Sequence, residues 1–411
     1  MYYKKLKKSI HLPERIDIFL IVAILIFIIT PLIFSISIKT EEAPHQMYLY
    51  LSIKSEELFG KEITQMLLQE FEEKNPGIKI LLTDGTQEPD IFVFDEGDFS
   101  ALVTADALVE LNFFTNYDSG TQQMAIPLFS YMDLLFYNID ILIAAGYDSP
   151  PKTRDQFLLY TRGVLRGNFG VLPAAISLSR DDRRSLSRDI FSWMWASGSS
   201  FWLEGDKPSL NTRALTNDLN FFAALFREGL LAPGVFEKTG EQRVEEFARS
   251  RISMMVASSS IIPYLKEKMR EGSFGITTIP DSGTGGQYSI GLSAIYTGIN
   301  SKSEYPEDAW NFLVFLTEKS SFLCHELKAV PGVVSDIIPG NYVIDDPLYS
   351  KAWEIFESSH ITDDFSGKYN ADAYKLVFLE ELQNFFENSN TVQQTIASIQ
   401  RRWDDVQGYG N

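Results

Sequence analysis

The chain has 411 residues, too many for one ordinary core, and its 45% apolar share fits a globular protein and excludes bulk disorder. Its formal charge is −19, and beyond residue 40 the balance is 30 basic against 53 acidic side chains, or −23. A surface of that sign repels nucleic acid and anionic lipid, which excludes nucleic acid as a partner.

Lys4, Lys5, Lys7, Lys8 and Arg15 precede an uncharged run from Ile18 to Ile38, long enough to span a bilayer. The expected layout is a cytoplasmic basic segment over 1–17, a transmembrane anchor over 18–38 and a polar tether over 39–46. The basic flank stays in the cytoplasm, so everything after Lys39 lies outside, in the periplasm or at the cell surface. The alternative is a cleaved signal peptide and a secreted chain. Ser35-Ile36-Ser37 resembles a cleavage site, but the run exceeds the usual apolar core of about 7 to 15 residues.

"MYLYLSI" (Met47 to Ile53) reads as a strand, and Ser55 is placed to cap a helix with Ile63, Met66, Leu67 and Phe71 on one face. Asn75-Pro76-Gly77 ends it, and strands follow at Ile78 to Leu82 and Asp90 to Phe94, then a helix through Ala101 to Leu111. This order implies a mostly parallel sheet covered by helices. "FYNIDILIAAGYDSPPKT" (Phe136 to Thr153) leaves a strand, turns helical at Ile139, stops at Gly146 and is barred from resuming by Pro150-Pro151. Thr153 caps the next helix.

"VLPAAISL" is strand-like, residues 183–197 are helical, and Asn211 caps a helix striped by Leu215, Leu219, Phe222 and Phe226. Strands follow at "ISMMV" and Phe274 to Thr278, then a long one from Ser289 to Asn300. Pro306 opens a helix with Glu307 and Asp308 in its first turn. The last hundred residues are mainly helical.

Signatures of catalysis and of cofactor binding are missing: no H-E-x-x-H, G-x-S-x-G, Walker A or G-x-G-x-x-G stretch is present. The four histidines are scattered, which removes a catalytic or metal cluster. Cys324 is the sole cysteine, so no internal disulfide exists, and it reads as a buried inert thiol. Asp181-Asp182 and Asp363-Asp364 read as solvated helix ends, since adjacent carboxylates point apart and do not make a glycosidase pair. An aromatic cluster around Gly198 suits stacking on sugar rings, although helical aromatic spacing also means packing. Trp195 and Trp202, flanking "ASGSS", are the expected pocket aromatics.

The ordered motifs "FEEKNPGIKI" (71–80), "PDIFVFD" (89–95), "LFYNIDILIAAGYDSPPKT" (135–153), "FARSRISMMV" (247–256) and "GLSAIYTGINSKSEYPEDAWNFLVFL" (291–316) together resemble the family 1 extracellular solute-binding proteins. These are the sugar-capturing components of ABC importers and include the maltose-binding protein. The resemblance runs from about Leu49 to the C-terminus.

The resemblance implies an α/β, two-lobed periplasmic-binding-protein fold of type II with three hinge crossings. The expected lobes are 47–134 plus 295–330, and 135–294 plus 331–411. Positions similar to the family's pocket are Lys54, Ser55, Phe94, Asp95, Glu96, Tyr131, Ser179, Arg180, Ser258, Ser259 and Ser260. Relatives often carry an aromatic where Ser258-Ser259-Ser260 stands, so one stacking platform is either missing or supplied by Tyr288. Near the third crossing Val333 or Val334 replaces a common basic residue, and the family's lipid-anchor cysteine is missing.

The function implied is non-catalytic: a monomer with no cofactor or metal captures a carbohydrate between its lobes and delivers it to ABC importer permease subunits. The alternative is a membrane-anchored sensory ectodomain that reports ligand to a receptor or histidine kinase.

Overall fold

The computed structural model describes residues 46–114, 123–182, 184–201, 208–210, 212–283, 289–332, 346–362, 364–387 and 390–408. The run Ile18–Ile38, Trp202, Asn211, Tyr288, Val333 and Val334 lie outside the described residues. Among those described, no helix is long and apolar enough to cross a membrane.

Ten strands form the sheet of the described residues: β1 (Met47–Ser52), β2 (Ile78–Thr83), β3 (Ile91–Asp95), β4 (Ile126–Asn138), β5 (Leu172–Ala175), β6 (Ile252–Ser258), β7 (Phe274–Thr277), β8 (Ser289–Ile299), β9 (Val330–Pro331) and β10 (His360–Thr362). The main path runs β2-β1-β3-β8-β4-β6-β5. Pairs β1–β2, β1–β3, β5–β6 and β8–β10 are parallel, whereas β3–β8, β4–β8, β4–β6, β4–β7 and β4–β9 are antiparallel. The expected mostly parallel sheet is therefore mixed, because β4 is antiparallel to every strand it pairs with and β8 is antiparallel to β3 and β4. Period-2 patterning explains β1: Leu49 and Leu51 are buried while Tyr48 faces out.

Two separate interiors result. One gathers Leu51, Phe71, Ile91, Val93, Phe312 and Leu313 under helices Lys61–Lys74 and Pro306–Glu318. The other side has helices on both faces. Phe157, Trp193, Phe222, Phe378 and Trp403 fill one face, and Phe136, Phe247, Met255, Leu265 and Phe356 fill the opposite one. Each fully buried aromatic ring contributes about 1.5–3 kcal/mol to the interior it sits in.

β4 joins the two. Ile126–Met132 pairs with β8, and from Asp133 onward the strand pairs with β6 and β7. β8 behaves alike, pairing with β3 over Ile295–Ile299 and with β10 over Ser289–Gly291. After β4, Asn138 caps helix Ile139–Ala144 by accepting from the Ile141 N–H at 3.1 Å. Gly146 takes φ +89°, a conformation natural to glycine, and Thr153 caps helix Arg154–Gly167.

Three local expectations are corrected. Ser55 caps nothing: the helix starts at Lys54, with Ile53 at its N-cap position. Met66 is 41% exposed, because the buried stripe of its helix narrows to Thr64, Leu67 and Phe71. Residues 187–191 form a π-helical turn before helix Ser192–Ala196 instead of a plain α-helix.

Candidate functional site

A cavity of about 1020 Å³ opens beside the point where β4 changes partners. Asp95, Gly97 and Asp98 line it from the first interior. Ser177, Asp182, Arg184, Arg188, Gly240 and Ser258 are among the residues that line it from the second, and Asp133 and Ser293 come from the two joining strands.

On the first wall, β3 ends at Asp95, whose Oδ1 accepts from the Gly97 N–H at 2.8 Å and caps helix Glu96–Thr104. The same carboxylate meets Lys54 Nζ at 3.3 Å and the guanidinium of Arg184 from the opposite wall. Burial raises the Asp95 pKa, but Arg184 and Lys54 outweigh it and hold it below the usual carboxylate value. Lys54 also grips Asp98, and these pairings overcome burial to raise its own pKa.

The second wall is organised by Arg188, which contacts Asp182 and Asp189, each at 3.2 Å. Asp189 Oδ2 accepts from the Ser177 N–H at 2.8 Å, and Asp182 Oδ2 accepts from the Gly240 N–H at 2.9 Å. One buried guanidinium thus ties the end of the "AISL" segment to the start of helix Gly240–Ala248. Desolvation works against that charge, but Asp189 and Asp182 raise the Arg188 pKa regardless. A Cβ on Gly240 would sit 2.6 Å from Arg188 Nη2 and 2.8 Å from Asp182 Oδ2, so a larger residue there would have to push this ion pair aside.

Asp133 lies where the walls meet. It is 4% exposed, and its Oδ2 accepts from Ser192 Oγ at 2.8 Å, while Oδ1 has no hydrogen-bond partner. Desolvation pushes its pKa up to about 7, against the opposing pull of Ser192 and Arg188. Ser192 follows directly on the π turn, an insertion that often marks functional sites. Gly291 leaves the room: a Cβ there would fall 2.7 Å from Ser192 Oγ and 3.0 Å from Asp133 Oδ2.

The residues singled out by sequence divide. Asp95, Ser258 and Ser260 line the cavity, and Lys54 reaches it through Asp95 and Asp98. Ser259 is turned inward, accepting from the Met132 N–H at 3.0 Å, and braces β4. Phe94 packs against Phe99 and Tyr296 in a small core of its own. Glu96 is buried and pairs with Lys375 at 3.1 Å, away from the cavity lining. Ser55 is buried with an unpartnered Oγ, and Tyr131 packs on Phe129 with its hydroxyl donating to the Leu327 carbonyl at 3.4 Å. Ser179 accepts from the Asp181 N–H, and Arg180 reaches out to Glu380 at 3.4 Å.

Trp195 is 2% exposed, its ring against Phe191 and its indole N–H donating to Asp364 Oδ2 at 2.8 Å. Packing takes this aromatic, which is not among the residues lining the cavity; Tyr264 is the aromatic that lines it among the described residues. Asp364 is no solvated helix end either, since it also accepts from Ser200 Oγ and the Phe201 N–H. Asp133, Arg184, Arg188, Asp189 and Gly240 were missed. One signal was available for the first: "YMDLLF" sets a lone carboxylate inside an apolar strand.

Among the described residues, no group of three or more His, Cys, Asp or Glu side chains is placed to hold a metal ion.

Two α/β units joined by shared strands, with a polar cleft between them, define the class of two-lobed periplasmic binding proteins. Residues 55–321 match the family described as bacterial extracellular solute-binding protein, and the chain belongs to that family. The sugar-binding protein MalE from Xanthomonas citri superposes with a TM-score of 0.69 at 15% identity, covering 88% of this chain and 97% of that one. The cyclic alpha-maltosyl-1,6-maltose binding protein from Arthrobacter globiformis gives 0.69 at 15% identity, covering 89% and 100%. A Deinococcus radiodurans protein named "Probable ABC transporter-binding protein" is 23% identical over 258 residues, 59% of each chain. A protein of Brucella abortus (strain 2308) named as a binding protein is 22% identical over 202 residues, 47% of this chain and 46% of its own. The chain spans about half the length of the curated relatives it matches.

Proposed function

We propose that this protein is a non-catalytic, extracytoplasmic capture protein that holds a sugar or short oligosaccharide between its lobes and hands it to an ABC importer. The observation that carries the reading is the cleft itself, which has one wall from each interior and strands shared by both along its base. Membership of the solute-binding family supports it, as does the likeness to proteins named for binding maltose and related sugars.

The lobes are 47–134 plus 295–330 and 135–294 plus 331–411. The partition is supported by the separation of the two interiors and by the change of strand partner after Met132. The crossings fall in β4, β8 and the segment around Val330, and closure about them is a hinge motion driven by ligand contacts made with both walls. The run Ile18–Ile38 tethers a monomeric chain to the cytoplasmic membrane, with the binding domain outside.

Isothermal titration against mono- and disaccharides tests the reading. Saturable binding of at least one sugar is expected; binding confined to another solute class overturns it.

A further inference from the structure

Residues 364–375 link the two interiors apart from the three crossings. Asp364 is fixed to the second, its carboxylate taking the Trp195 indole N–H, the Ser200 hydroxyl and the Phe201 N–H. Phe365 follows at 0% exposure, stacked on Phe191 with Phe201 and Trp403 beside it. Helix Ala371–Glu387 then returns the chain to the same interior through Ala371, Tyr374 and Phe378.

Between these anchors the segment lies against helix Glu96–Thr104, whose Phe99, Leu102 and Val103 pack with Phe94 and Tyr296. Ser100 Oγ donates to the Phe365 carbonyl at 3.0 Å, Thr104 Oγ1 accepts from the Asn370 N–H at 3.1 Å, and the Ser366 hydroxyl lies 2.8 Å from that of Tyr296. Lys375 Nζ meets Glu96 at 3.1 Å and sits over the Phe365 ring, 5.7 Å from its centre. Gly367 takes φ +63°, and a Cβ there would fall 2.7 Å from the Phe99 ring. A larger residue would have to push that ring aside and also bear a left-handed backbone.

The two sides of the cleft are therefore tied unequally. Across the cavity the walls meet through Asp95 and Arg184, and the arginine is 37% exposed, so water and salt weaken the pair. Along residues 364–375 a set of polar links and a ring contact must be given up together. Its ion pair, with side-chain exposures of 6% and 11%, is screened far less.

Resting on the lobe partition proposed above, we infer that residues 364–375 are a strap that keeps helix Glu96–Thr104 on the second lobe whether the cleft is open or closed. The lobes then swing about the strapped edge, and a ligand enters on the side of Arg184 and Glu241.

The test measures distances between paired spin labels on the full chain in mild detergent. Cys324 is buried, so introduced cysteines take the label. One pair, Ala101→Cys with Asp372→Cys, spans the strap; the other, Glu57→Cys with Glu241→Cys, spans the cavity mouth, and all four positions are exposed. Each pair is read at low salt, at about 1 M salt and with Arg184→Ala, both of which release the Asp95 tie. The mouth distance is expected to lengthen by at least about three times as much as the strap distance, which stays single and narrow. In Glu96→Gln with Lys375→Met, which removes the ion pair without leaving a lone charge, the strap distance is expected to broaden as well.

Equal shifts in the two pairs overturn the strap and leave the two-lobed clamp standing. A shift across the strap with a fixed mouth overturns it by placing the opening on the other side. Fixed distances in both pairs overturn the strap and the hinge motion of the capture reading together. The salt series on the chain with Glu96 and Lys375 intact decides the matter even if their double substitution fails to fold.

Discussion

Asp95 and Arg184 meet across the cleft, carboxylate on guanidinium, with one residue two positions after Val93 of the first interior and the other two before Leu186 of the second. This is an ionic tie between the lobes, and it is not the strongest one. Away from the cavity, Glu96 pairs with Lys375 under side-chain exposures of 6% and 11%, and Ser100 Oγ donates to the Phe365 carbonyl at 3.0 Å.

Exposure decides what each tie is worth. Arg184 is 37% exposed, so its pairing contributes less than about 1 kcal/mol. Arg184→Ala is expected to leave thermal stability nearly unchanged while raising the radius of gyration in small-angle scattering, as ionic strength near 1 M also should. Lys375→Met, which strands a buried carboxylate, is expected to cost about 3–5 kcal/mol in urea unfolding. A larger loss from Arg184→Ala than from Lys375→Met would contradict this ranking.

Asp133 makes stability depend on pH with a definite sign. Its carboxyl holds a proton to about pH 7 when folded, against a reference value of 3.8. The folded chain therefore binds more protons between those limits, and stability declines as pH rises through that window. Asp133→Asn removes the decline. Relative to the native chain it should gain about 2–3 kcal/mol between pH 5 and pH 8 in denaturant titrations without ligand. A constant difference across that range would show the carboxyl to be ordinary.

Trp195 is held by Phe191 against its ring and by Asp364 on its indole N–H. Trp195→Phe leaves Asp364 without the indole donor and opens space beside Phe191, for an expected loss of about 1–3 kcal/mol in unfolding free energy. Sugar affinity should change less than threefold. A tenfold loss of affinity at unchanged stability would return this ring to the cleft.

Cys324 is buried, and desolvation lifts its thiol to about 12. Iodoacetamide at pH 8 should label the native chain negligibly and the urea-unfolded chain fully, as mass spectrometry would report. Fast labelling under native conditions would mean that helix Ser320–Leu327 opens locally.

Particular elements show how far the residues could be read in order. β1 and helix Lys61–Lys74 followed from periods of two and 3.6, and the break after Ile139–Ala144 followed from Asn138, Gly146 and Pro150-Pro151, because those signals are local. The direction of β8 against β3 and β4 was not legible, since an apolar strand carries no mark of which neighbour it joins or which way it runs. Asp95 was reached through its motif. Arg184 was not, because an arginine in a polar stretch looks the same whether it faces water or a carboxylate 89 residues away.

The amino-acid order by itself determined the α/β alternation, the acidic exterior, the single thiol and the family motifs, for each of these is a property of near neighbours or of composition. Only the tertiary structure decided that Trp195 is spent on packing, that Asp182 and Asp189 converge on Arg188, and that Asp133 holds an unsatisfied oxygen at the meeting of two walls. Burial and pairing depend on which distant segments the fold brings together, and a carboxylate's charge, proton and partner are set by that company.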